Sequence, residues 1–122
     1  MQVEQLCNLV VSALDDIKAQ EIKVLEVRGK TPITDFFVIA SGSSDRHVKS
    51  AAEAVAFKAK QAGELVIGQE GIREGEWALI DLNGVVAHIM QPHVRDYYQL
   101  EKLWELDFSE FNLEQESKTH EK

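Results

Sequence analysis

The residues of this 122-residue chain with the chemistry to catalyse or coordinate are four histidines, one cysteine, a serine cluster and an aspartate on a β-rich run. His47, His88, His93 and His120 share no paired ligand spacing, and a single cysteine, Cys7, excludes an internal disulfide and a cysteine-ligated zinc site. Ser43 and Ser44 stand in no Gly-x-Ser-x-Gly elbow. The stretch from Asp35 to His47 reads Asp-Phe-Phe-Val-Ile-Ala-Ser-Gly-Ser-Ser-Asp-Arg-His: an apolar strand, a small-residue turn and the start of a helix. Unpaired N–H groups at such a helix start could cradle a phosphate through Gly42 and Ser43, which would make the chain a nucleotide-binding domain. Asp45 counts against an anion, because it already supplies negative charge to the first turn. The structural reading of the same residues is that Ser44 or Asp45 caps the helix while Gly42, Ser43, Arg46 and His47 order the turn.

A strand ending in Gly-Ser before a helix resembles the opening of the nucleotidyltransferase fold, whose enzymes follow it with an Asp-apolar-Asp pair that holds two metal ions. The corresponding window, 48–62, contains one acid, Glu53, within an alanine-rich helix. Asp81, between Ile80 and Leu82, could stand for a third carboxylate, but one carboxylate does not bridge two divalent cations. The resemblance in fold survives and the catalytic centre does not. No catalytic residue, metal or cofactor is therefore expected, and a residual nucleotidyltransferase stands only as the alternative function.

The elements that must position these residues follow from periodicity. Val3, Leu6, Val10, Ala13, Leu14 and Ile17 form the stripe of an amphipathic helix over 3–18. Ile22 to Val27 reads as a strand near a sheet edge, and Phe36 to Ala40, apolar without alternation, as one buried on both faces. A helix with Val48, Ala51, Ala52, Val55, Ala56, Ala59 and Ala62 inward ends at Gly63, and Leu65 to Ile67 is a short third strand. Asn83-Gly84 between two β-rich runs predicts a type I′ hairpin that pairs Trp77 with Met90, Leu79 with His88 and Asp81 with Val86. One hairpin face, Ala78, Ile80, Leu82, Val85, Ala87 and Ile89, is wholly apolar and must be core. The other carries Trp77, Leu79, Asp81, Val86, His88 and Met90. It is either a surface that meets a partner, or it is covered by the last helix with Asp81 hydrogen-bonded to His88 across the diagonal. That helix opens at Pro92 and puts Tyr97, Leu100, Leu103 and Trp104 on its apolar stripe, leaving Tyr98 exposed. The sum is one small α/β domain over 1–104, a mixed five-stranded sheet flanked by helices, followed by an acidic, disordered tail over 105–122.

The net charge of −8 argues against wrapping nucleic acid, so no direct sequence-specific nucleic-acid contact is expected and basic partners are. The domain and the tail contribute −4 each. No apolar run approaches the ~20 residues of a membrane helix, and no basic-then-apolar leader opens the chain, so a cytoplasmic protein without membrane contact is expected.

Four separated blocks agree in type and order with one known family. They are Asp35 to His47; the glycine loop leading to Trp77-Ala-Leu-Ile-Asp81; Gly84 with His88; and Arg95-Asp-Tyr-Tyr-Gln-Leu-Glu-Lys-Leu-Trp104. Together they resemble the Iojap family, the ribosomal silencing factors, over about residues 1 to 104. The resemblance implies a nucleotidyltransferase-like topology that has lost catalysis. It also implies binding to the large ribosomal subunit through its protein fourteen, which sterically blocks joining of the small subunit and represses translation when nutrients fall. Members resemble homodimers when free. The contact residues expected on this basis are Trp77 and Tyr98 as anchors, Asp81 and Glu101 as partners for Arg or Lys, Lys102 beside them, and Met90 adapting to the partner's surface.

Overall fold

The computed structural model describes residues 1–105, so the acidic segment expected over 105–122 lies, apart from Glu105, outside the described residues. The elements are α1 (Val3–Asp16), β1 (Gln20–Glu26), β2 (Phe36–Ser41), α2 (Asp45–Gln61), β3 (Gly68–Glu70), β4 (Trp77–Asp81), β5 (Val85–Met90), α3 (Pro92–Tyr98) and α4 (Leu100–Glu105). The sheet order is β1-β2-β5-β4-β3, with β2 and β5 parallel and every other neighbouring pair antiparallel. This is the mixed five-stranded α/β sheet that the sequence predicts, with β1 at an edge.

The two faces of the sheet are buried differently. On one, α1 supplies Leu6, Val10 and Leu14, and α2 supplies Val48, Ala51, Ala52, Val55 and Ala59, against Val38, Ala40, Ala78, Ile80, Val85, Ala87 and Ile89. Each large aliphatic side chain buried there contributes roughly 1.5–3 kcal/mol. The alanines let α2 lie close to the strands. Its start is capped by Ser44, whose hydroxyl accepts from the His47 N–H at 3.1 Å. Its end closes as a Schellman motif: Gly63, at φ 81°, donates to Lys60 O and Glu64 to Ala59 O. On the opposite face a second core gathers Leu25, Val27, Phe37, Ile39, Val86, Met90 and Val94, with Leu100 packed against it. All six residues of β2 are buried as a result.

Three local expectations are corrected. The third strand lies at Gly68–Glu70 rather than Leu65 to Ile67; Leu65 and Ile67 are exposed, and pairing with β4 begins only where the Ile67 N–H reaches Asp81 O at 2.8 Å. The apolar β-rich triplet marks a good strand former, but where the chain meets β4 decides what pairs. The hairpin keeps the predicted register, yet its turn is not type I′. Asn83 alone has positive φ, at 76°, and the Gly84 N–H closes back on Leu82 O at 3.1 Å, an i to i+2 bond of the γ-turn kind. Glycine is needed at 84 for space, since a Cβ there would lie 2.6 Å from Val3 Cγ2 of α1.

The single last helix is, thirdly, two helices. Gln99 takes the left-handed conformation at φ 49°, its N–H donating to Arg95 O, and α4 restarts at Leu100. Arg95 and Glu101, six apart, would lie on different sides of a continuous helix. The break brings them together and lets Leu100 reach the second core. It also removes Tyr97 and Leu103 from the expected apolar stripe; both are exposed.

Candidate partner-binding face

β4 directs Trp77, Leu79 and Asp81 to the same face as their cross-strand partners Met90, His88 and Val86 on β5. Val94 of α3 and Leu100 pack over the β1, β2 and β5 side of that face. Trp77 and Leu79 pack only in part against this core and stay half-buried. Beside them, β3 pairs Gly68 with Asp81 and Glu70 with Leu79, putting a second carboxylate on this face.

The hairpin's mixed face is therefore covered along β5 and only half-buried along β4. The β5 residues are covered: Met90 is 0% exposed, enclosed in the second core, so the expectation that it adapts to a partner's surface is corrected. His88 is buried too, and its partner is not Asp81. The Trp77 indole Nε1–H donates to His88 Nδ1 at 3.0 Å, while Asp81 Oδ1 accepts from the Asn83 N–H at 2.9 Å and holds the turn. Burial pushes the His88 pKa down from 6.5 to about 4, so the ring is neutral at pH 7 and accepts the indole proton.

The β4 side stays open and aromatic. Tyr98, 57% exposed, lies with its ring centroid 5.0 Å from that of Trp77, and Tyr97, 81% exposed, stands edge-on to Tyr98 at 4.9 Å. Three rings thus form one contiguous group. Sequence periodicity missed Tyr97 because it assigned the residue to the buried stripe of an unbroken helix. Lys102 is exposed, as a contact residue must be.

Glu101 is committed within the chain. Arg95 Nε and Nη2 donate to its two carboxylate oxygens at 2.6–3.2 Å, and Arg95 Nη1 donates to Ser41 Oγ at 2.9 Å. The Arg95 hydrogen bond holds the Glu101 carboxyl below its ordinary range, against the opposing effect of burial. The role expected for Glu101, pairing with a partner's cation, is therefore corrected: its cation is Arg95. Nothing in the helical spacing of the sequence points to Arg95, because i, i+6 pairs do not meet on a helix. The pair borders a cleft of about 540 Å³ that Glu21, Lys23, Asp96 and Lys102 also line.

The turn at 41–47 is built to hold itself. Gly42 N–H donates to Met90 O at 2.9 Å, Ser43 N–H to His47 Nδ1 at 2.8 Å, and Arg46 N–H to Asp45 Oδ1 at 2.8 Å. His47 Nε2 meets Ile17 O at 2.8 Å. Because a backbone N–H only donates and a carbonyl only accepts, His47 carries its proton on Nε2 and ties the end of α1 to this turn. Arg46 contributes only its backbone N–H; its exposed side chain does not order the turn as expected. The backbone N–H groups of Gly42 and Ser43, on which the nucleotide-binding alternative rests, are thus spent on Met90 O and His47 Nδ1 rather than open to a phosphate. Among the described residues, no group of three or more His, Cys, Asp or Glu is arranged to hold a metal, and no helix is long and apolar enough to cross a membrane.

A family model described as "Ribosomal silencing factor during starvation" matches residues 1–122. The chain belongs to the ribosomal silencing factor family. It is 41% identical over 104 residues to "Ribosomal silencing factor RsfS" of Chromobacterium violaceum, covering 85% of each protein. A crystal structure of a protein from Chromobacterium violaceum superposes with a TM-score of 0.85 at 40% identity, covering 88% of this chain and 89% of that one. One from Bacillus halodurans superposes at 0.76 with 38% identity, covering 83% and 94%. The open aromatic face is thus carried by a ribosomal silencing factor fold.

Proposed function

We propose that this chain represses translation by binding the large ribosomal subunit through its protein fourteen and sterically keeping the small subunit from joining. The observation that carries the reading is the contiguous group of Trp77, Tyr98 and Tyr97, with Asp81 and Glu70 on the same face of the sheet as Trp77, in a silencing-factor family member. Exposed aromatic residues beside carboxylates suit a basic protein partner, with charge steering approach and rings anchoring it. The contact set is Trp77 and Tyr98 as anchors, Asp81 for a partner cation and Lys102 at the rim. Met90 and Glu101 drop out of it. The mechanism is occlusion, with no cofactor and no reaction. The free protein is read as a cytoplasmic homodimer, which light scattering measures.

Co-sedimentation with isolated subunits tests the reading. The protein is expected to pellet with large subunits and not small ones, and to prevent their joining. Trp77→Ala combined with Tyr98→Ala is expected to weaken pelleting at least tenfold with the fold intact, since anchor residues each contribute about 2 kcal/mol or more. Unchanged pelleting would refute the contact set.

A further inference from the structure

We propose that His88, itself buried, is a positioning residue for partner binding: it fixes the orientation in which Trp77 is presented. This rests on the docking reading above and deepens it by naming what sets the anchor's geometry.

Trp77 pairs with Met90 and His88 with Leu79, so the indole reaches diagonally across the strands to its acceptor. An indole N–H only donates, so His88 Nδ1 accepts and the ring proton sits on Nε2. His88 is 6% exposed and backed by the edge of Phe37 from β2, with ring centroids 5.1 Å apart at 73°. The acceptor is thereby fixed in place. Tyr98 packs against the indole as well, with ring centroids 5.0 Å apart. An apolar neighbour could bury the same ring edge without choosing which edge turns inward; a directional N–H to N bond chooses it. A side chain already held in one orientation loses less freedom when a partner seats on it.

The arrangement also defines what Trp77 offers. Its one hydrogen-bond donor faces inward, so a partner meets only the carbon surface of the ring. An arginine guanidinium stacked on the part of that surface which Tyr98 leaves free, on the face that also carries Glu70, is the matching group, and a carbonyl acceptor is not.

In ¹⁵N-labelled wild-type protein, a coupling transmitted across the hydrogen bond between Trp77 Nε1 and His88 Nδ1 is expected; its absence overturns the proposal and requires no variant. His88→Leu removes the acceptor, and His88→Asn keeps an oxygen near the position of Nδ1. His88→Leu is expected to weaken co-sedimentation with large subunits about tenfold and to speed exchange of the Trp77 indole proton with water, while His88→Asn restores both. Binding by folded His88→Leu at the wild-type level overturns the proposal, as does equal weakening in the two variants. Should His88→Leu fail to fold, the wild-type coupling decides. Trp77→Ala separates two failures. If it binds as wild type, the docking reading falls and this proposal with it; if it binds weakly while His88→Leu does not, only the present proposal falls.

Discussion

Replacing Arg95 with methionine tests whether the ion pair across the α3–α4 break holds that break in place. The Arg95 side chain is 9% exposed and that of Glu101 17%, and the guanidinium reaches both carboxylate oxygens and Ser41. Removing one partner of a fully buried pair costs about 3–5 kcal/mol, because the other charge stays behind unpaired. Glu101 keeps some contact with water and methionine fills part of the volume, so the expected loss is about 2–3 kcal/mol. Urea unfolding followed by circular dichroism should show a midpoint about 1 M lower, at a slope of about 2 kcal/mol/M. Acid should narrow the difference. Arg95 depresses the folded-state pKa of Glu101 below its ordinary 4.5, so this stabilisation is present above pH 4.5 and lost as pH falls through the folded-state value. Arg95→Met with Glu101→Leu removes both charges and should recover most of the loss. An Arg95→Met protein that unfolds within about 0.5 kcal/mol of wild type, or a double variant as unstable as the single one, would show that the pair does not hold this region.

Two further outcomes follow from the second core. The unfolded chain binds a proton at His88 before the folded one does, since burial lowers its folded-state pKa to about 4. Stability should therefore decline from about pH 6.5 downward and by pH 4 be reduced by about 3 kcal/mol, and His88→Asn should flatten that part of the profile of urea midpoint against pH. An unchanged slope in the variant would assign the acid loss to other groups. Met90→Ala should cost about 2–5 kcal/mol through the cavity it leaves, while the folded fraction still pellets with large subunits; selective loss of binding would return Met90 to the interface.

The parts of the fold written in local pattern were legible. Ser44, the alanine stripe and Gly63 mark α2 within one stretch of chain, and the Asn83-Gly84 pair between two β-rich runs marks the hairpin register. What depends on distant contacts was not. The place where the chain meets β4 decides β3, and the break at Gln99 goes with an Arg95–Glu101 pair that a continuous helix would keep apart. For the site, alternation told correctly that Trp77, Asp81, His88 and Met90 share a face. It could not tell which strand of that face α3 and α4 would cover, and so it offered Met90 and Glu101 to a partner while leaving Tyr97 in the core.

The parallel pairing of β2 with β5 bears on how the chain leaves the ribosome that makes it. Phe36 to Ser41 finds one neighbour at once in β1, but the other, Val85 to Met90, is synthesised roughly 50 residues later. At about 5–20 residues per second, an apolar strand with one unpaired edge waits several seconds for its permanent neighbour. During that interval the nascent chain is most exposed to mispairing with another copy of itself, and slowing or speeding translation between codons 42 and 84 should change the yield of native protein more than the same change elsewhere.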